Sequence, residues 1–185
     1  MVTKTELYAL DVSSFTNAIE SLDDQLRANQ EKLDDIAHAK EIISSNMQGQ
    51  SAQAMIAKLD ALEQKINDHI TSIQQTQAAI TTYRTNKQQL QRNVIDSVNR
   101  IELADFDVSD TWRVRPSHRL LDMLSPAQIG ARFLAAMKMQ VQLLALVNTF
   151  DQYDLQAALQ IHDMDRSGLK APAFHKALEE GRSPK

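Results

Sequence analysis

Over most of its first hundred residues the chain places apolar side chains at alternating steps of four and three, and no other feature constrains its fold as strongly. The first row runs Phe15, Ile19, Leu22, Leu26, Leu33, Ile36, Ile43 and Met47, with Asn29 and Lys40 at the missing steps. A second row follows as Met55, Leu59, Leu62, Ile66, His69, Ile73, Thr76, Ile80, Tyr83, Lys87, Leu90, Val94 and Ile101. Such a repeat keeps one stripe facing a neighbouring helix, so it specifies a coiled-coil seam and excludes a strand, whose period is two. Between the rows stands Gly49, the only glycine in the first 129 residues, and no proline occurs before Pro116. One break in so long a helical pattern predicts one turn, with Gly49 supplying the left-handed backbone that ends the first helix and Met47 closing its seam.

The register of the two rows supports that turn. Both arms of an antiparallel hairpin rise at the same 1.5 Å per residue, so residues whose numbers sum to about 98 face each other. Phe15 then meets Tyr83, Ile19 meets Ile80, Leu26 meets Ile73, Leu33 meets Ile66, Ile36 meets Leu62 and Ile43 meets Met55. Rows found separately fall into step, which parallel helices from different chains would not require. The same register sets Asn29 against His69, a polar pair that fixes register at a cost in stability. Lys40, Thr76 and Lys87 also lie on the seam, where a long lysine stem can reach out to water. Because the first arm starts near Asp11, residues 88–103 overhang by roughly 24 Å of helix and need a cover.

The composition agrees with helices: four glycines, four prolines and 5% aromatics are too few for a β-sandwich or an α/β enzyme. Residues 104–118, with Phe106, Trp112 and Pro116, lose the seam and predict a linker that folds back. A helix start follows, with Ser125 as N-cap, Pro126 at the first helical position and Gln128 closing a capping box. Ile129, Phe133, Met137, Val141, Leu144, Val147 and Phe150 continue it, apolar on more than one side. "APAFHKALEE" predicts a last short helix. The expected architecture is all-α and elongated: a long antiparallel, coiled-coil-like helical hairpin over 1–103 with its bend at 47–51, the fold-back linker, and a helical segment over 119–185 that packs back on the hairpin.

Several functions find no support in the residues. A formal net charge of −4 argues against nucleic acid as a partner. The stretch 133–150 is interrupted by Lys138, Gln140, Gln142 and Asn148, which argues against a membrane span. No cysteine occurs, and no phosphate-binding loop, nucleophile elbow or zinc-binding histidine pair is present, so neither catalysis nor a cofactor nor a metal is expected. "DMDRSG", Asp163 to Gly168, copies the first half of a calcium loop, but Pro172 stands at its tenth position and Phe174 where the bidentate Glu belongs. A polar turn accounts for the same residues.

At the bend, Met47-Gln48-Gly49 resembles the bulky-apolar-x-Gly turn of the Trp-x-Gly family, small proteins exported by type VII secretion, and of their longer Leu-x-Gly (LXG) relatives. The first motif position departs from both families, Met replacing Trp or Leu. The resemblance covers about residues 8–160 by pattern: "DVSSFTNAIESLDDQL" leading into the bend, a longer second helix, then a break before further helices. LXG modules form the targeting part of polymorphic antibacterial toxins. The resemblance therefore implies a non-enzymatic module that binds small helical partner proteins and the secretion machinery, and leaves the cytoplasm without a cleavable signal peptide. Phe150 and Asp154 match an aromatic-x-x-x-acid export motif, on one helical face. The partners are expected on Leu90, Val94, Val98 and Ile101 of the overhang and on Phe133, Met137, Val141 and Leu144. The alternative is a self-assembling coiled-coil scaffold, for which the seam alone suffices.

Overall fold

A computed structural model describes residues 1–121 and 123–166, the side chains of Leu120 and of residues 160–166 excepted. The elements are α1 (Lys4–Tyr8), α2 (Ser13–Asn46), α3 (Gln50–Leu103), β1 (Phe106–Val108), β2 (Val114–Pro116), α4 (His118–Leu121) and α5 (Pro126–Arg166). The fold is the all-α hairpin expected from the seam, with the C-terminal helix packed back on it. The predicted short helix over 171–180 lies outside the described residues.

The bend differs from its prediction in two respects. α2 ends at Asn46, and Met47 caps it in an extended conformation, its N–H donating to the Ile43 carbonyl at 2.9 Å. Gly49 does not terminate α2; it opens α3 as the N-cap, at φ 92° and ψ −168°. That region of backbone space is open essentially to glycine alone. A Cβ on Gly49 would meet nothing within 4 Å, so conformation and not crowding selects the residue. Met47 is exposed and closes no seam.

Along α2 the buried residues are Phe15, Leu22, Asn29, Ile36 and Ile43, one every seven residues. α3 answers with another heptad row, Ala52, Leu59, Ile66, Ile73, Ile80, Lys87, Val94 and Ile101, of which Leu59 and Ile66 are half-buried. The flanking row changes sides along the helix. Near the bend, Ile56, Glu63 and Ile70 take the half-buried places while Met55, Leu62 and His69 are exposed; from Thr76 on, the inner positions are Thr76 and Tyr83, as predicted. The expected Asn29–His69 layer therefore does not form, and the Asn29 amide donates instead to the Gln25 carbonyl. The change of side has a packing cause. Toward the bend α3 faces α2, whereas from about Ile73 it also carries α5 and must bury a broader face.

The far end of α3 forms the base of the molecule. The chain leaves α3 through Asp105, at φ 62°, and turns into an antiparallel ribbon that sets Phe106 against Pro116 and Val108 against Val114. Its loop closes with the Ser109 N–H donating to the Arg113 carbonyl at 2.9 Å. Trp112 sits in that loop at φ 64°, rare for a bulky residue. Burial holds it there: its ring is enclosed with Leu7, Val94, Val98, Phe106 and Val147, and its indole N–H donates to the Val2 carbonyl at 2.6 Å. The linker expected over 104–118 is thus a folded ribbon. α1 is pinned beside it, Thr5 donating through N–H and hydroxyl to Asp110 at 2.8 and 2.7 Å. Those two bonds hold the Asp110 carboxyl below the usual carboxylate range, and bonds from Thr3 do the same for Glu6 in the α1 capping box.

α5 begins as predicted, Ser125 donating through N–H and hydroxyl to the Gln128 side chain at 2.9 Å. It runs antiparallel to α3: Arg132 donates to the Ala104 carbonyl at one end, and Lys87 meets Phe150 and Asp154 farther along. The overhang is covered by the chain itself, through α1, the ribbon and α5.

Candidate docking surface

The sequence assigned eight residues to a partner-binding face, and the fold divides them. Val94, Val98 and Ile101 are buried in the chain's own core, and Leu90 is partly buried against it. They are not open to a partner because α1, the ribbon and α5 already occupy that face. Leu144 is half-buried. Phe133, Met137 and Val141 are open, at 47, 65 and 68% exposure, and Leu134, Leu155 and Leu159 join them at 63, 64 and 60%.

The helical period explains the division. Ala136, Leu143, Val147, Phe150 and Ala157 lie on the side of α5 turned to the hairpin and are buried. Leu134, Met137, Val141, Ala145, Asn148, Gln152, Leu155 and Leu159 lie on the other side and are all exposed. Steps of three and four recur in this outer row as they do in the hairpin, so α5 carries a second seam without a partner among the described residues. Lys138 is the only charge between Phe133 and Phe150, and the row itself carries no charge, its polar members being Asn148 and Gln152.

Phe150 and Asp154, expected as an export signal, are adjacent on one face, but that face points inward. The Lys87 side chain is 3% exposed, and its ammonium lies 2.6 Å from Asp154 Oδ1, 3.0 Å from the Phe150 carbonyl and 3.5 Å from the centre of the Phe150 ring. The Tyr83 hydroxyl donates to the same carboxylate oxygen at 2.5 Å. Tyr83 in turn packs against Phe15 of α2 and stacks on Tyr153 of α5, with ring centroids 5.1 and 5.4 Å apart. A lysine read from the sequence as reaching out to water is instead the buried joint of three helices. Only the pairing makes that burial tolerable, since an unpaired interior charge costs several kcal/mol, on the order of 3 to 5 when one partner is removed.

A second open surface lies at the hairpin tip. Between Gln50 and Ser72 the single buried residue of α3 is Ala52, and Ile42, Met47, Met55 and Leu62 are exposed. Lys40, on the tip's seam, reaches across to Asp60 at 2.6 Å and to Glu63, and these bonds raise its pKa above the ordinary lysine value. This contact gives Glu63 its half-buried place and was not foreseen.

An open groove of about 580 Å³ runs between α3 and α5. Ser97, Arg100 and Ile101 line one wall, Gln142, Leu146 and Thr149 the other, an assortment with no paired acid and base. Among the described residues no three metal-ligating side chains converge. Of the calcium-like stretch, Asp163 to Arg166 is helical backbone within α5 and the remainder lies outside the described residues. By length and composition Pro126–Leu159 could cross a membrane, contrary to the reading of its polar interruptions; in the folded chain one side of it is packed against α3 and β2.

No family model matches the chain, and neither a curated protein nor a solved structure is significantly similar to it.

Proposed function

We propose that the chain is a non-enzymatic docking module, the targeting part of a type VII secretion effector of the LXG kind, which binds small helical partner proteins and is exported with them. One observation carries the docking reading. The tip of the hairpin is a seam only two helices wide, with Ile42, Met47, Met55 and Leu62 left at its surface. Two-helix seams expose both flanks, and helices laid along those flanks complete a bundle of the kind in which apolar rows are fully buried. The assignment to type VII export rests on the bend Met47-Gln48-Gly49 and the unequal arms, which resemble the LXG pattern. The inward Phe150 and Asp154 do not add to it, because an export apparatus could read them only if α5 detached from Lys87.

Co-expression with any small helical proteins encoded beside this chain tests the proposal. The expected result is a defined heteromer, weakened by Met55→Glu with Leu62→Glu, and delivery to the medium only when the export apparatus works. A chain that captures none of these proteins overturns the docking reading; capture without export overturns the LXG assignment.

A self-assembling scaffold is the second reading, favoured by the unpartnered outer row of α5.

A further inference from the structure

We infer that the outer row of α5 pairs with the same row of a second copy of the chain, antiparallel, about a two-fold axis crossing the helix near Leu146 and Val147. The two ends of the row match when it is reversed, and only its middle differs. Turned about that point, Leu134 meets Leu159, Met137 meets Leu155, Val141 meets Gln152 and Ala145 meets Asn148. Large apolar side chains thus lie at both ends of the contact and small or polar ones at its centre, where two helices crossing at a symmetry axis approach most closely. Large apolar residues matched at both ends are what a row paired with its own copy requires.

Area and charge agree with a pair of copies. Phe133, Leu134, Met137, Val141, Leu155 and Leu159 are each between 47 and 68% exposed. At roughly 100 Å² apiece, two copies would bury on the order of 1,200 Å², the lower limit of a specific interface. Lys138, the one charge beside the apolar half of the row, faces the neighbourhood of Leu155 and not its own symmetry mate, so no like charges are opposed. α5 packs on α3 through its other side, which leaves the row accessible without unfolding. The inference does not depend on the export reading, since the hairpin tip is a separate surface.

Light scattering of the whole purified chain at micromolar concentration is expected to give a dimer. Val141→Glu with Leu155→Glu should weaken it at least a hundredfold while helical circular dichroism stays unchanged, because both side chains are solvent-exposed in the monomer. The chain has no cysteine, so single thiols report the geometry. Ala145→Cys lies next to the axis and should be captured as a dimer by a short bismaleimide; Leu134→Cys should not, because its two copies would be about 38 Å apart. A monomer, a dimer indifferent to the two glutamates, or capture of Leu134→Cys as in a parallel pair would overturn the proposal. So would insertion of the row into neutral lipid vesicles, or its occupation by a heterologous helix, with no dimer formed.

Discussion

Two lysines on one seam, Lys40 near the bend and Lys87 toward the base, show how differently the two halves of the hairpin are built. Lys40 bridges two exposed helices and keeps a quarter of its side chain in water while reaching Asp60 and Glu63. Lys87 stands in the buried heptad row of α3, where Lys40 stands on the half-buried flanking row of α2, and it is roofed by α5, so that water is replaced by Asp154, the Phe150 carbonyl and an aromatic face. The same residue type becomes a surface tie in one region and a buried joint in the other. What differs is the row each occupies and the number of helices packed around it.

Mutations that probe each region should therefore differ in scale. Trp112→Ala removes the largest fully buried side chain of the base and should cost about 3 to 5 kcal/mol in denaturant unfolding. Ile36→Ala, at a site whose α3 neighbours are half-exposed, should cost no more than about 2 kcal/mol, because surrounding side chains can close in and water already reaches the flanks. Equal losses would remove the distinction between base and tip. Lys87→Ala deprives the Asp154 carboxylate of its ammonium and should cost about 3 kcal/mol, whereas Lys87→Met with Asp154→Asn, which removes both charges and keeps an acceptor for the Tyr83 hydroxyl, should recover most of that loss. Lys40→Met should shift the unfolding midpoint only slightly, because water reaches its ion pairs. Asp105→Gly should stabilise the base by about 1 kcal/mol, since glycine adopts the left-handed backbone there without steric cost.

pH should separate the regions in direction. Glu6 and Asp110 have lowered pKa values in the folded base, so their contribution is complete above the ordinary carboxylate range and is lost as pH falls through their folded values. Lys40 has a raised value at the tip; its contribution is complete below the ordinary lysine range and is lost as pH rises through the folded value. Acid should loosen α1 against the ribbon first, and alkali should loosen the tip first, each observable as local amide exchange. The same order at both extremes would contradict these assignments.

How much of this was readable in the sequence follows from the length of each signal. The hairpin and the start of α5 rest on many repeats or on a capping pattern, and long periodic rows survive local exceptions. α1, of five residues, and the two three-residue strands are too short to show a period. The flank of α3 was misread near the bend because Met55 and Leu62 are apolar but Glu63 takes the inner place, a choice made by Lys40 across the seam. Lys87 was misread because the group that buries it, Asp154, is 67 residues away and on a helix predicted to end its apolar stripe at Phe150. Of the candidate surface, Phe133, Met137 and Val141 were found as apolar helix positions, while the inward fate of Val94, Val98 and Ile101 depended on a ribbon no period announces.

The contrast between a three-helix base and a two-helix tip is tested most directly by hydrogen exchange measured along α3, one continuous helix that passes through both. The expected result is a step near Ile73: amides from Thr76 to Ile101 exchanging only through global unfolding, and those from Gln53 to Ile70 exchanging through local opening at much lower free energy. Uniform protection from end to end in the isolated chain would contradict the account, because a tip already that well buried would have no open seam for other helices to cover.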